Sequence, residues 1–337
     1  MKTARGISLH IGINSVDAVH YQGWNGRLVA CEADAEDMQS IARDLGYETT
    51  ILLTKNATRR DVREAMESAA RQLAKGDIFL LTYSGHGGQI PRDAGLSGFN
   101  AYDSDTTDEL DESWCLYDAQ LLDDELNHLY GQFQDGVRIL LIQDCCHSGF
   151  SDFDSGPHVS QEQGLGSGVE NELPGNIEKS RNEVESEFLE KKKPAATGAS
   201  SIPLARSMPK ESIDKTYDMN RDFYEAIRKA IPVSDSPDAA PASILAISAC
   251  KENELAMDGT FNGAFTSAFL STWSKWAKGE SRGDYNEFYV QLAEQLSRNS
   301  STKQTPEMYS CAKDPVWIST IKSAKNVAWA AQQPLQI

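Results

Sequence analysis

The chain has 337 residues, and its 32 Lys and Arg stand against 50 Asp and Glu, a formal charge of −18. That length holds one large α/β domain or two ordinary ones. The acid excess excludes a polyanion partner, because only "KKK" at 191–193 is locally basic; no nucleic acid is expected, and a cationic ligand is favoured. The opening "MKTARGISLHIGIN" lacks the apolar core of a signal peptide and no run reaches the ~18 apolar residues of a membrane span, so a soluble, cytoplasmic protein without a membrane partner is expected.

"GISLHIGIN" (6–14) reads as a buried strand. Met38, Ile41, Ala42 and Leu45 then mark a helical face closed by Gly46, and "YETTILLT" returns to strand. Thr58 can cap a second helix with the face Val62, Ala65, Met66, Ala69 and Leu73, ended by Gly76. "DIFLLTYSG" and "VRILLIQ" are short apolar runs bounded by turn residues, as strands covered on both faces should be. This alternation predicts an α/β fold with a mostly parallel central sheet flanked by helices, and ligands of such sheets bind at the carboxyl ends of the strands. "YSGHGG" (83–88) and "DCCHSG" (144–149) both fall at such ends.

After Phe150 the composition changes. Residues 151–240 are rich in Ser, Gly, Glu, Lys and Pro, with a weak helical stretch near "RDFYEAIRKA", and are expected to be mobile linker or surface insertion. Order resumes at the strand "SILAISAC", followed by helices carrying Phe265, Phe269, Leu270 and Trp273, then Phe288, Leu292 and Leu296, and a last strand near "DPVWIST".

Six scattered cysteines (Cys31, Cys115, Cys145, Cys146, Cys250, Cys311) fit reduced thiols rather than a disulfide framework. Contiguous Cys145, Cys146 and His147 lack a second knuckle for zinc, and adjacent cysteines form only a strained disulfide. A nucleophile explains the pattern better, since a thiol requires a base that is near in space rather than in sequence. His86 in "SGHGG" can be that base, and the glycines after it leave the Gly87 amide free to donate to an oxyanion.

"YSGHGG" followed by "DCCHSG", each behind an apolar strand, resembles the metacaspase and bacterial caspase-like (orthocaspase) branch of the caspase-like cysteine peptidases, peptidase family C14. "ISACKENELAMDGTFNGAFTSAFLSTW" is similar to the small-subunit segment of bacterial members. The likeness covers about residues 5–150 and 240–320, and the animal caspase signature Gln-Ala-Cys-Arg-Gly is absent. It implies the caspase-like three-layer α/β/α fold, divided into a large-subunit-like segment (1–150), a linker (151–240), a small-subunit-like segment (241–325) and a tail (326–337).

The resemblance also implies roles. Cys146 would be the nucleophile, His86 the acid and base, and the amides of Gly87 and Cys146 the oxyanion donors; His147 and Cys145 would be structural. Protein or peptide substrates would be cut after Arg or Lys by an acidic pocket, in which Asp34 of "ACEADAEDM" and Ser84 match family positions. Asp144 stands two residues before Cys146, on the same side of an extended chain. Glu252 and Glu254 are candidates for a third wall. Asp34 has an alternative reading as a helix N-cap, and Asp144 as a strand-end cap. No cofactor is required for the chemistry. Calcium is the one metal the likeness offers, at Asp111, Asp123 and Asp124 with Asp152 or Asp154, although acidic surface loops suit so acidic a chain equally well.

A zymogen activated by cleavage within 155–215 is a further expectation, with Arg181, Lys193 and Arg206 as processing sites among Lys179, Lys191, Lys192 and Lys210, cut by the protein itself or by an upstream activating protease. Two rivals stand beside the peptidase: a caspase-like scaffold without activity, and a Cys-dependent amidase or acyl-hydrolase acting on a non-peptide substrate.

Overall fold

The computed structural model describes residues 4–91, 110–146, 204–231, 242–251, 254–299, 304–311 and 331–337. Its centre is a six-stranded sheet in the order β2-β1-β3-β7-β8-β9. Five strands are parallel, namely β1 (Gly6–Gly12), β2 (Glu48–Leu53), β3 (Ile78–Ser84), β7 (Arg138–Asp144) and β8 (Ser243–Ser248). β9 (Glu307–Cys311) closes the edge antiparallel to β8. Every residue of β1, β3 and β7 is buried, which is why their sequences run apolar without alternation.

Helices cover both faces. α1 (Cys31–Asp44) sends Met38 and Ala42 into one core layer, shared with α5 (Ala264–Ala277) through Phe265 and Phe269 and with α6 (Tyr285–Asn299) through Phe288 and Leu292. α2 (Arg59–Gln72), capped by the Thr58 side chain on the Asp61 amide, and α3 (Asp123–Tyr130) fill the other layer with Val62, Met66, Leu126 and Leu129. The strands split their side chains accordingly: Leu81 and Leu141 face one layer, Leu80 and Leu140 the other. This is the mostly parallel sheet flanked by helices that the alternation predicted, in the three-layer α/β/α form the resemblance implied.

Three features depart from the sequence reading. A small antiparallel sheet of β4 (Gly87–Pro91), β5 (Leu110–Cys115) and β6 (Gln120–Leu122) follows the "SGHGG" loop, so "LDESWC" is strand rather than acidic surface loop. The stretch expected to be linker contains a 21-residue helical segment, α4 (Lys210–Ala230), kinked at Asn220. It is ordered because Tyr217 and Tyr224 bury against Ile90 and Leu122 of the small sheet, which propensity within the segment does not reveal. Finally, "DPVWIST" lies outside the described residues, and the edge strand is the segment before it.

Two contacts aim the fold at its site. Gly12, at the end of β1, lies so near the Cys31 carbonyl that a Cβ there would stand 2.3 Å from it, so the start of α1 sits directly on the sheet edge. In the register of β3 and β7, Ser84 pairs with Asp144, which brings both loaded loops side by side.

Candidate active site

Four elements converge at the carboxyl edge. Asp34 comes from the first turn of α1, Ser84 from the end of β3, Asp144 from the end of β7, and Asp258 from the loop between β8 and α5. All four are buried, and into their midst runs Arg206, 0% exposed. Its Nη2 donates to Asp34 Oδ2 at 2.7 Å and Asp258 Oδ1 at 3.0 Å; its Nη1 donates to Ser84 Oγ at 2.9 Å and pairs with Asp144 Oδ2 at 2.9 Å.

Each carboxylate is also held by donors other than the guanidinium. Asp34 accepts from Ser84 Oγ at 2.7 Å and the Gly263 amide at 3.0 Å. Asp144 accepts from the amide and hydroxyl of Thr266 at 3.0 and 2.7 Å, and Asp258 from the Val29 amide at 2.8 Å. The free amides at the start of α5 thus fix two of the three acids. Gly263 is required there, since a Cβ would fall 2.4 Å from Asp144 Oδ2 and 2.6 Å from the guanidinium.

The electrostatics follow from burial. Desolvation raises the Asp144 carboxyl to about 6, with Arg206 pulling it down and Asp34 pushing it up. Burial works against the charged Arg206, yet Asp144, Cys31, Asp34 and Asp258 outweigh it and hold the guanidinium firmly protonated.

The backbone of 204–208 is extended across this edge. The Arg206 amide donates to the Ala256 carbonyl at 2.9 Å, and the Asp258 amide to the Leu204 carbonyl at 2.7 Å, as in an added antiparallel strand. The Arg206 carbonyl oxygen accepts two amides, Gly87 at 3.0 Å and Cys146 at 3.2 Å. Beyond it, the Met208 amide donates to the Gly87 carbonyl at 2.8 Å.

Cys146 supplies one of those amides, and His86 directly precedes Gly87, which supplies the other. His86 Nε2 donates to the Gly26 carbonyl at 3.1 Å, and its ring meets Trp24 edge-on with centroids 4.8 Å apart. Because a carbonyl only accepts, the proton resides on Nε2, and Nδ1 carries the lone pair, buried without a hydrogen-bond partner. Burial pushes His86 down to about 4, against the raising pull of the Gly26 and Ser207 backbones. Cys146 Sγ accepts the Ala256 amide at 3.0 Å. Cys145 points into the opposite core layer, and burial drives its thiol far above the ordinary range.

Of the residues expected from sequence, Asp34, Ser84, Asp144, His86, Gly87, Cys146 and Arg206 are brought together. Asp34 is not a helix N-cap; that position is Ala30. Glu254 is turned elsewhere, accepting from the amide and hydroxyl of Thr305, so it forms no pocket wall with Asp34 and Asp144. Asp258 supplies the third carboxylate. Its signal was a lone acid in the apolar stretch "LAMDG". Gly26 and Trp24, which orient His86, carried no comparable mark.

For the calcium candidates, Asp111 is paired with Arg228 at 2.5 Å, and Asp123 Oδ1 accepts the Asp124 amide at 2.8 Å. Among the described residues no group of three or more His, Cys, Asp or Glu is arranged to hold a metal. Asp152, Asp154, Glu252, His147, Arg181 and Lys193 lie outside them.

A family profile described as the caspase domain, Peptidase C14, matches residues 5–315. The chain belongs to the caspase-domain family. Metacaspase-1A of Aspergillus clavatus is 31% identical over 178 residues, 48% of this chain and 38% of that protein. Metacaspase-1 of Botryotinia fuckeliana is 25% identical over 332 residues, 90% of this chain and 66% of the relative. The chain spans about two fifths of the length of the first of these. A crystal structure of a protein from Geobacter sulfurreducens is 36% identical with a TM-score of 0.71, covering 99% of both chains. Among the described residues no helix is long and apolar enough to cross a membrane.

Proposed function

We propose that this caspase-domain protein is a cysteine endopeptidase that cuts after Arg, using Cys146 as nucleophile and His86 as acid and base, and that its own Arg206–Ser207 bond is a substrate. The observation that carries this reading is the coincidence of two placements at one residue. The guanidinium of Arg206 fills a pocket of three carboxylates while its carbonyl oxygen accepts the amides of Gly87 and Cys146. An internal arginine held only for stability would have no reason to present its carbonyl to two convergent amides beside a thiol and an imidazole.

The chemistry follows in order. The Cys146 thiolate attacks the Arg206 carbonyl carbon, and the developing oxyanion gains strength from both amides. His86 Nδ1, whose other nitrogen is tied to Gly26, passes the thiol proton to the Ser207 nitrogen as the amide breaks. Water then releases the acyl group. Arginine suits the pocket better than lysine, because two nitrogens of one plane reach Asp34, Asp144, Asp258 and Ser84 together, whereas an ammonium is a single point. Lysine is the weaker substrate.

The same placement favours a zymogen. The pocket is already filled by the chain's own strand, so an external Arg peptide enters only after 204–206 leaves. Mass spectrometry of the purified protein tests this directly: a fragment beginning at Ser207 is expected from wild type and absent from Cys146→Ala. An intact wild-type chain that still hydrolyses Arg peptides would overturn self-cleavage at this bond.

A further inference from the structure

The two sides of the Arg206–Ser207 bond are anchored by different means. On the amino side, Leu204 to Arg206 are held by the pocket and by backbone bonds to Ala256 and Asp258. On the carboxyl side, Met208 is 1% exposed, with its Sδ 3.9 Å from Cys115 Sγ and its amide bonded to Gly87. Pro209 then leads straight into α4, whose Ile213, Thr216, Tyr217 and Tyr224 are buried. Nothing in this second set depends on the guanidinium. Ser207 itself is 4% exposed, with its backbone against the His86 ring.

In ordinary hydrolysis the leaving amine diffuses away and water takes its place. Here the amine is the first atom of a segment docked within two residues of a core side chain. A tethered nucleophile acts at an effective concentration that can far exceed that of a free one, so water must compete with it.

We propose that the cleaved protein is also an acyl transferase onto itself: the α-amine of Ser207 accepts an Arg-terminated acyl group from Cys146, which joins a foreign peptide to the chain. This deepens the peptidase reading and rests on it. The donor class is a peptide with a bond after Arg, or a peptidyl-Arg ester: Cys146 Sγ forms the C–S bond as the Arg–X amide or ester bond breaks, and the amine or alcohol leaves with the proton from His86. Its acyl-enzyme is a thioester on Cys146. The Ser207 nitrogen lone pair attacks the thioester carbonyl, a C–N bond forms and the C–S bond breaks. The thiolate of Cys146 leaves, and the surplus amine proton passes through His86 Nδ1 to restore the thiol. No oxidant or further reactant enters. The product repeats the geometry of the uncut chain, with an arginine in the pocket and its carbonyl on the Gly87 and Cys146 amides, so transfer refills the site that cleavage had opened. Because the new bond is itself cleavable, the joined species should rise while donor is turning over and fall once it is consumed.

The test uses the full-length protein after self-cleavage, kept as its two associated fragments, with a fluorescein-labelled acyl-Gly-Arg ethyl ester at about pH 8, where an α-amine is largely unprotonated. Samples are taken during turnover, treated with hydroxylamine to strip thioesters, and digested with a Glu-specific protease, since trypsin would cut the new bond. The expected product is the peptide Ser207 to Glu211 bearing acyl-Gly-Arg on its N-terminus, at a level about tenfold or more above label on any lysine. Arg206→Gln, which offers no Ser207 amine, should yield none. Donor hydrolysis with a free Ser207 terminus and no hydroxylamine-stable label on it would overturn the transfer while leaving the peptidase reading intact. Neither donor turnover nor a Ser207 terminus would overturn that reading, and this one with it.

Discussion

Arg206 and Asp144 form an ion pair at 2.9 Å in which both side chains are buried, 0% and 2% exposed. Two such charges are costly to remove from water unless their hydrogen-bonding positions are served; Thr266, Ser84, Asp34 and Asp258 serve most of them, while Asp144 Oδ1 and Arg206 Nε are buried without a partner. A built cation pocket, rather than a surface contact, is the result.

Removing one wall should therefore cost binding of arginine more than folding. Asp258→Asn keeps the shape but leaves a guanidinium one charge short. A loss of about 3 kcal/mol, or roughly a hundredfold in kcat/KM on a small Arg substrate, is expected from breaking a buried pair. Asp144→Asn should cost at least as much. Steady-state kinetics, with circular dichroism to verify the fold, measures both. Efficient cleavage after Asp by wild type would contradict the acidic pocket.

The two adjacent cysteines should separate cleanly. Cys146→Ala and His86→Ala are each expected to abolish self-cleavage and Arg-substrate turnover. Cys145→Ala should retain most of both, because its side chain faces the opposite core layer. Equal loss in the Cys145 variant would reassign the nucleophile.

Substitution of Arg206 should grade self-cleavage by geometry. Arg206→Gln should remain one chain over hours, and Arg206→Lys should be cut about tenfold or more slowly than wild type, as a point charge replaces a planar fork. Gel analysis over time decides the order, and equal rates for Lys and Arg would mean that the pocket reads charge alone.

Acid should destabilise the fold through a second histidine. His10, buried in β1 and bonded to Thr82 and Ser8 at 2.9 Å each, is lowered by desolvation from 6.5 to about 3. Its unfolded form binds a proton that its folded form refuses, so its contribution to stability is full above about pH 6.5 and is lost progressively toward pH 3. His86, lowered to about 4, acts in the same sense, and Asp144, raised to about 6, in the opposite sense between pH 4 and 6, so a single profile of wild type mixes these groups. The difference between wild type and His10→Gln in urea midpoint across pH 4–7 isolates the histidine, and it should shrink as pH falls. A constant difference would show that His10 does not titrate with unfolding.

The sequence by itself determined the five parallel strands, the two loaded loops and the residues with distinctive chemistry. Apolar runs such as 78–84 and 138–144 can only be buried strands, and the glycines and thiol at their ends follow a local pattern of residue types. Asp34 and Ser84 were legible only through the likeness of their short segments to family positions. What only the tertiary structure decided was convergence. Asp258 is one acid among fifty until β8 and α5 carry it to the same guanidinium as Asp34, and Glu254, four residues earlier, turns away to Thr305. Arg206 was one of several basic residues in a polar segment. Its place at the thiol depends on Met208 and α4 finding apolar partners in the distant small sheet and core, contacts between residues far apart in sequence that no local pattern encodes.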